Sequence, residues 1–160
     1  MRIILCLLFA PIFTLSFHAS AANISYVYDG DTVKINDNNT EYKLRLTDID
    51  APERNQAYGK KSRRALIGLC SQANIHTVLS GTDKYNRQLG KLFCNNQDVS
   101  VWMVQNGHAW FNSRYSMDGT LQYAEQTARQ NKLGLWKSKQ QTPPWVWRKT
   151  IQTNVSHGIK

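Results

Sequence analysis

The sequence has few acidic residues for its size: 11 aspartates and glutamates stand against 20 lysines and arginines in 160 residues. The formal net charge at pH 7 is therefore +9, and a positive field concentrates polyanions and speeds their capture. No strongly basic amphipathic helix accompanies this charge, which argues against a cationic protein that acts on membranes. Histidine is also sparse, and its residues are too isolated in the sequence to indicate a zinc or histidine-based centre. They are His18, His76, His108 and His157.

Long apolar runs are missing after the first residues of the chain. There, Met1-Arg2 precedes a nearly continuous apolar stretch over residues 3–17, and small residues follow it. This order is typical of a secretory signal peptide, and the apolar part is shorter than the roughly 20 residues of a membrane span. We expect cleavage after Ala21, with cleavage after Ala22 and an uncleaved anchor as alternatives. The signal peptide would then comprise residues 1–21, and its removal would leave an exported protein in the periplasm or outside the cell, without stable membrane association.

Cysteine is limited to three residues, one of which, Cys6, lies in the predicted signal peptide. The midpoint between Cys70 and Cys94 falls in a predicted turn at residues 80–86, so we expect the two cysteines to face each other across neighbouring strands. An oxidising compartment would permit a disulfide between them. The alternative is a pair of free, buried thiols.

Short alternating runs fill the first half of the chain, and helical patterns fill the second. Strands are predicted over residues 23–28, 32–36, 42–46, 75–80 and 88–94, and helices over 58–70, 99–106 and 120–132. These elements indicate an α+β fold with a small five-stranded barrel of the oligonucleotide/oligosaccharide-binding (OB) type and about three helices. No repeat or internal boundary divides the chain, so we expect one domain over residues 22–148 and a polar C-terminal tail over 149–160.

Three short segments hold six of the 11 acidic residues. They are Asp29-Gly30-Asp31-Thr32, residues 45–53 and Asp83-Lys84-Tyr85-Asn86-Arg87. Phosphodiester hydrolysis needs such a mixture, because carboxylates bind a hard cation or activate water, and guanidinium groups bind phosphate. Each segment alone also has an ordinary explanation, since Asp-Gly turns and polar hairpin tips are common.

In this order and spacing, the three segments resemble the thermonuclease family, typified by staphylococcal nuclease. The resemblance runs from about residue 28 to residue 136. It also includes Tyr58-Gly59, the Val104…Gly107 helix end, and Leu-Gly-Leu-Trp at 133–136. The Pro-Pro-Trp-Val-Trp-Arg segment that ends at Arg148 is similar to that of exported bacterial members.

The resemblance implies a secreted, calcium-dependent nuclease that breaks the bond to the 5′ oxygen in DNA and RNA and leaves 3′-phosphate products. It implies a monomer with little sequence specificity that holds one Ca²⁺. The ligands would be the carboxylates of Asp31 and Asp50 and the backbone carbonyl of Ala51, with Thr32 and Asp29 as supporting groups. Glu53 would be the general base or would position the attacking water; the sequence leaves both open.

The same resemblance assigns the phosphate contacts. Arg45 and Arg87 would clamp the scissile phosphate, and Lys84 and Tyr85 would hold a neighbouring one. Tyr115 would offer a stacking face to a base, although packing is an equal alternative for it, as turn capping is for Asp29.

Two departures from the family pattern leave the catalytic groups intact. Ala51 stands where the type member has threonine, but a backbone ligand does not need that hydroxyl. Asn86 replaces a glycine, and asparagine tolerates the left-handed region. A related barrel that binds single strands without cutting them is the main functional alternative. It is disfavoured because members without activity usually lose the acids or arginines, which are all present here: Asp31, Arg45, Asp50, Glu53 and Arg87.

Overall fold

The computed structural model describes residues 22–157, so the predicted signal peptide lies outside the described residues. Eight strands, four α-helices and one 3-10 helix make up this part of the chain. The strands are β1 (Asn23–Val27), β2 (Thr32–Asp37), β3 (Thr40–Leu46), β4 (Ile49–Asp50), β5 (Ile75–Thr82), β6 (Gln88–Cys94), β7 (Gln97–Asp98) and β8 (Trp110–Phe111). The helices are α1 (Gly59–Cys70), α2 (Val99–Gln105), α3 (Gly119–Gln130), the 3-10 helix (Gly134–Lys137) and α4 (Pro144–His157).

The predicted five longer strands form one sheet in the order β1-β2-β3-β6-β5. Within the described residues this sheet is not closed into a barrel, because its hydrogen-bonded path ends at β1 and β5. Three two-residue strands were also not predicted: β7 extends β6, and β4 pairs with β8 as a separate ribbon. The mixed α+β class is thus confirmed, whereas the sheet is not closed into the predicted barrel and the described strands number eight rather than five. Two-residue strands carry no periodicity by which a sequence pattern could predict them.

Strand alternation places the core on one face of the sheet. Val33 and Ile35 on β2 and Leu44 and Leu46 on β3 are fully buried, because residues two apart point to the same face. The β2–β3 turn runs through Asn38 and Asn39, both with positive φ, as two-residue hairpin turns require. Strands β3 and β6 are parallel, with Arg45 opposite Leu89. This register places the C-terminal end of β3 beside the N-terminal end of β6.

Helices α2 and α3 begin at aspartate caps. The Asp98 carboxylate accepts the N–H of Val101 at 3.2 Å, and the Asp118 carboxylate accepts the N–H of Thr120 at 2.8 Å. Such bonds satisfy backbone donors that a helix leaves unpaired at its start. In the described chain, no helix is long and apolar enough to cross a membrane.

The end of the chain differs from the predicted polar tail. Helix α4 starts with Pro144, a residue that suits the first helical position, and continues to His157. The predicted boundary after Arg148 therefore falls inside a helix, and the described helices number four rather than about three. Trp145 of α4 packs edge-on against Trp110, with ring centroids 6.5 Å apart. This contact helps to hold α4 against the domain.

Cys70 and Cys94 form a disulfide with Cα atoms 5.3 Å apart. Cys70 ends helix α1 and Cys94 ends strand β6, so the bond joins a helix to the sheet. The expected placement on neighbouring strands is wrong, because the strand residue opposite Cys94 is Ile75.

Candidate active site

The three acid-bearing segments meet at one open cavity of about 910 Å³. The turn before β2, the segment from β3 to the loop after β4, and the β5–β6 turn form its walls. The parallel pairing of β3 with β6 makes this convergence possible. The predicted site residues that line the cavity are Asp29, Asp31, Thr32, Arg45, Asp50, Glu53, Lys84, Tyr85, Arg87 and Tyr115. Ala51 lies directly behind them, buried in the core.

Asp31 is held at the start of β2 with only 4% of its surface exposed. One carboxylate oxygen accepts the Thr32 hydroxyl at 2.8 Å, and the other accepts the Ala51 N–H at 2.6 Å. The Nε of Arg45 lies 3.2 Å from the first oxygen. These contacts, including the bond from the Thr32 hydroxyl, fix the carboxylate of Asp31.

Asp50 is more deeply buried, at 2% exposure, and contacts two arginines. Arg45 lies 3.1 Å from Oδ1, and Arg148 binds both oxygens, at 3.1 and 2.7 Å. Burial raises the pKa of the Asp50 carboxyl, hydrogen bonds from Arg148 oppose this rise, and the charge of Asp31 adds to it. Asp31 and Asp50 thus lie close together in a desolvated site, and a nearby cation would stabilise the charged form of Asp50.

Arg45 is anchored by its backbone neighbours as well as by acids. Its guanidinium donates to the carbonyls of Leu46 and Ile49, the second at 3.0 Å. It also bridges Asp31 and Asp50. This arrangement fixes the plane of the guanidinium at the cavity wall.

The Asp29–Asp31 turn depends on Gly30. A Cβ at this position would lie 1.9 Å from the Ser62 hydroxyl of α1, so only glycine lets the turn approach the helix. Asp29 accepts the N–H of Asp31 at 3.0 Å. Burial first, and then the negative charge of Asp31, raise the pKa of Asp29 to about 8. Asp29 therefore caps its own turn, one of the two roles predicted for it.

Glu53 occupies the loop between β4 and α1. Its carboxylate accepts a hydrogen bond from Arg148 at 2.8 Å, and its backbone N–H donates to Gln56 at 3.1 Å. Gln56 in turn donates to the carbonyl of Thr142 at 2.6 Å. A Cβ on Gly59 would lie 1.8 Å from the Glu53 carbonyl. The Tyr58-Gly59 pair of the family motif thus lets α1 begin directly against this loop.

Arg87 is oriented by Asp83 across the β5–β6 turn. The guanidinium contacts Asp83 Oδ2 at 2.8 and 2.7 Å, and Asp83 Oδ1 accepts the N–H groups of Tyr85 and Arg87. Partial desolvation raises the pKa of Asp83, but the hydrogen bonds from Arg87 and Tyr85 outweigh it, so that the pKa is lowered. Asn86 has φ 60°, which confirms that asparagine serves here in the left-handed region.

The sequence that forms this cavity is similar to those of known nucleases. The chain matches the family model described as "Staphylococcal nuclease homologue" over residues 43–138. The chain belongs to the staphylococcal nuclease family. It is 32% identical over 153 residues to an "uncharacterized endonuclease" of Haemophilus influenzae, covering 95% of this chain and 86% of that protein. It is 33% identical over 134 residues to the micrococcal nuclease of Shigella flexneri, covering 77% of each, and 34% identical over 144 residues to protein ParB of Escherichia coli, covering 82% and 81%.

The protein is therefore a nuclease, a hydrolase that acts on nucleic acids. The prediction of an enzyme rather than a binding-only barrel is confirmed at this level. The individual roles of the site residues stay predictions, although the nuclease brings all of them except Ala51 to one cavity.

The donor set of the nuclease suits a hard divalent cation. Across residues 22–157, no three histidine, cysteine or acidic side chains are grouped as a ready-made metal cage. The carboxylates of Asp31 and Asp50 nevertheless share Arg45 as a common partner, and the charge of Asp31 raises the pKa of Asp50. Oxygen ligands of this kind are the ones that calcium and magnesium prefer. Asp31 and Asp50 thus fit the predicted metal, and Ala51 lies next to them along the chain.

The predicted substrate-binding residues lie on the open side of the cavity. Tyr85 and Tyr115 are 68% and 78% exposed, and the ammonium of Lys84 lies 5.1 Å from the centre of the Tyr85 ring. Trp110 and Phe111, the aromatic residues that precede Tyr115 in the chain, are buried in the domain. Exposure thus favours Tyr115 over its two neighbours as a stacking surface.

Two residues that form salt bridges with predicted site residues received no role from the sequence. Asp83 stands in a motif that was recognised, and its spacing of four from Arg87 was an available signal for the pair. Arg148 also ends a recognised motif, but its contact with Asp50 spans 98 residues. No local pattern could have indicated that contact.

Proposed function

We propose that the nuclease is an exported, calcium-dependent enzyme that hydrolyses DNA and RNA and leaves 3′-phosphate ends. The observation that carries this proposal is the meeting of Asp31, Asp50, Arg45, Arg87 and Glu53 at one cavity. Little sequence specificity is expected, because phosphate contacts and stacking faces do not distinguish bases. The nuclease is expected to act as a monomer, since the catalytic groups all come from one chain.

Calcium would be held by Asp31, Asp50 and the carbonyl of Ala51. When bound, it would polarise a phosphoryl oxygen and offset the negative charge of the phosphate. Thr32 keeps Asp31 oriented through its 2.8 Å hydrogen bond. Oriented ligands bind a metal more tightly than free ones, because less order must be gained on binding.

The scissile phosphate would lie between Arg45 and Arg87. Both guanidinium groups are fixed by other contacts, Arg45 through two backbone carbonyls and Arg87 through Asp83. Planar, pre-oriented donors stabilise the charge that develops on the phosphoryl oxygens during the reaction. Lys84 and Tyr85 would hold the next phosphate along the strand.

Glu53 would position or deprotonate the attacking water. Its side chain is one-third exposed, so water reaches it. The same guanidinium, that of Arg148, contacts both Glu53 and Asp50. Attack in line with the 5′ oxygen would expel that oxygen and leave the phosphate on the 3′ side.

Export is supported by the signal-like start of the sequence and by the Cys70–Cys94 disulfide. Disulfides persist in oxidising compartments such as the periplasm or the extracellular space. We expect no membrane attachment after removal of residues 1–21.

The test is digestion of single-stranded DNA and RNA by purified mature protein in calcium, in magnesium and in chelator. Product ends are identified by their sensitivity to a 3′-phosphatase. Cleavage that needs calcium and leaves 3′-phosphates is the expected result, and Glu53→Gln should bind the strand without cutting it. Equal cleavage in chelator, or 5′-phosphate products, would contradict the proposal.

A further inference from the structure

The guanidinium of Arg148 occupies the centre of the carboxylate cluster. It binds both oxygens of Asp50, at 3.1 and 2.7 Å, and one oxygen of Glu53, at 2.8 Å. It therefore links the predicted metal ligand to the residue predicted to activate water. A bidentate pair supplemented by a third charge-assisted bond is among the stronger polar contacts in proteins.

Arg45 and Arg148 neutralise the same carboxylate but differ in how they are held. Arg45 is tied to the carbonyls of Leu46 and Ile49 within its own segment. Arg148 projects from the second turn of α4, and its side chain is 43% exposed. Its polar contacts within residues 22–157 are with Asp50 and Glu53. Arg148 is thus the cation that can leave the cluster without disrupting the strand end.

A buried carboxylate needs a positive neighbour in every state of the protein. Asp50 is almost fully buried beside Asp31, and an uncompensated charge there would be costly. In the described chain Arg148 covers both oxygens of Asp50, the same oxygens that a divalent cation would need. Full coordination by a cation and full pairing with Arg148 therefore exclude each other.

We propose that Arg148 is an internal counter-ion that competes with the divalent cation for Asp50, so that metal binding displaces the guanidinium. The inference rests on the proposed function, since it takes Asp50 to be a metal ligand. Arg148 is on this account a positioning residue that keeps Asp50 and Glu53 in place while the metal is absent. Its displacement frees Glu53 at the moment when the metal is loaded.

The test compares calcium affinity, without substrate, in wild type, Arg148→Ala and Arg148→Lys by calorimetric titration. We expect Arg148→Ala to bind calcium about tenfold more tightly, the order of a lost charge-assisted contact. Arg148→Lys should fall between the two, because one ammonium cannot cover both oxygens. Lys149→Ala, which removes the same charge from the next exposed position of α4, is the matched control and should leave the affinity unchanged.

Thermal unfolding provides the second readout. Arg148→Ala should melt several degrees below wild type in chelator, and saturating calcium should close most of this gap, since the metal then compensates Asp50. A purely structural role for Arg148 would lower stability equally in both conditions and would not tighten calcium binding.

Two outcomes would overturn the inference. If Arg148→Ala bound calcium with unchanged or weaker affinity, the inference about Arg148 would be wrong, but the proposed calcium-dependent nuclease activity would not be affected. Wild-type protein that binds no calcium would overturn the inference and the proposed function together.

Discussion

The catalytic cavity and a smaller basic groove lie on either side of the loop after β4, and they hold their positive charges differently. The groove measures about 530 Å³ and is lined by Arg54, Asn55, Gln56, Tyr58, Lys60, Lys61 and Arg64. None of these described lining residues is acidic. In the cavity, by contrast, Arg45, Arg87 and Arg148 are each paired with a carboxylate. Carboxylates hold these three cations of the cavity in place, whereas Lys60, Lys61 and Arg64 of the groove are exposed to solvent.

Helix α1 serves both regions with different faces. Gly59 and Ser62 approach the loop of Glu53 and the Gly30 turn, while Lys60, Lys61 and Arg64 are exposed. Arg63, on the same helix, is partly buried and donates a hydrogen bond to the carbonyl of Val27 at 2.7 Å. Pre-oriented cations stabilise the charge of the transition state, whereas solvent-exposed cations attract a polyanion without stabilising the reaction step. The two regions should therefore respond to mutation in different kinetic parameters.

The largest effect is expected from Arg87→Ala. Loss of this oriented guanidinium should lower kcat on single-stranded DNA about 30-fold or more, equivalent to roughly 2 kcal/mol of transition-state stabilisation. Lys60→Ala removes one positive charge from the groove instead and should change kcat less than about twofold. Steady-state kinetics on folded variants makes the comparison. Near-normal turnover of Arg87→Ala would remove the distinction between the regions.

The next effect concerns the carboxylates of the cavity. Asp50→Ala should raise the calcium concentration for half-maximal activity about tenfold or more, because one of two charged ligands is lost. Asp37→Ala, at the far end of β2, is the matched control and should behave as wild type. Activity measured across buffered free calcium checks this expectation. An unshifted calcium curve for Asp50→Ala would show that the metal is held elsewhere.

A smaller effect is expected from Lys60→Ala/Lys61→Ala/Arg64→Ala. Loss of three solvated cations should raise KM for long single strands several-fold at low salt, with kcat unchanged. The slope of log KM against log salt should fall by about 2, since each phosphate contact on a single strand contributes roughly 0.7. A trinucleotide serves as control, because it is too short to reach the groove and should show wild-type KM. Equal losses on both substrates would place the groove within the catalytic machinery.

Much of this comparison was predictable from local sequence. Residues that lie close together along the chain, such as the Asp29–Asp31 turn and the Asp83–Arg87 pair, carry their geometry in short motifs. Alternation in β2 and β3 likewise predicted the buried face that positions Arg45. The site residues converge because β3 and β6 pair in parallel, which periodicity alone did not predict.

Contacts between distant segments were not predictable in this way. Arg148 reaches Asp50 only because α4 folds back through the Trp145–Trp110 contact and the Gln56–Thr142 hydrogen bond. The polarity of residues 149–160 predicted a tail without indicating that its described part is helical, since an exposed helix end needs no apolar periodicity. His108 is likewise isolated in the sequence, and its contact with the Tyr58 hydroxyl, 3.0 Å from Nδ1, spans 50 residues.

The smallest effect is expected when His108 changes its protonation state. His108 contacts Tyr58, which lines the groove, and Ser62, which lies against the Gly30 turn of the cavity. Burial lowers the pKa of His108, and Ser62, beneath the Gly30 turn, donates to its carbonyl at 2.7 Å. Below about pH 6.5 the unfolded chain binds a proton that the folded protein resists. The free energy of unfolding should therefore decrease as pH falls below 6.5 and level off once folded His108 is protonated. Urea unfolding of wild type and His108→Gln between pH 5 and 7.5 measures this, and the variant should lose that part of the slope. Equal slopes for the two proteins would show that the free energy of unfolding does not depend on a neutral His108.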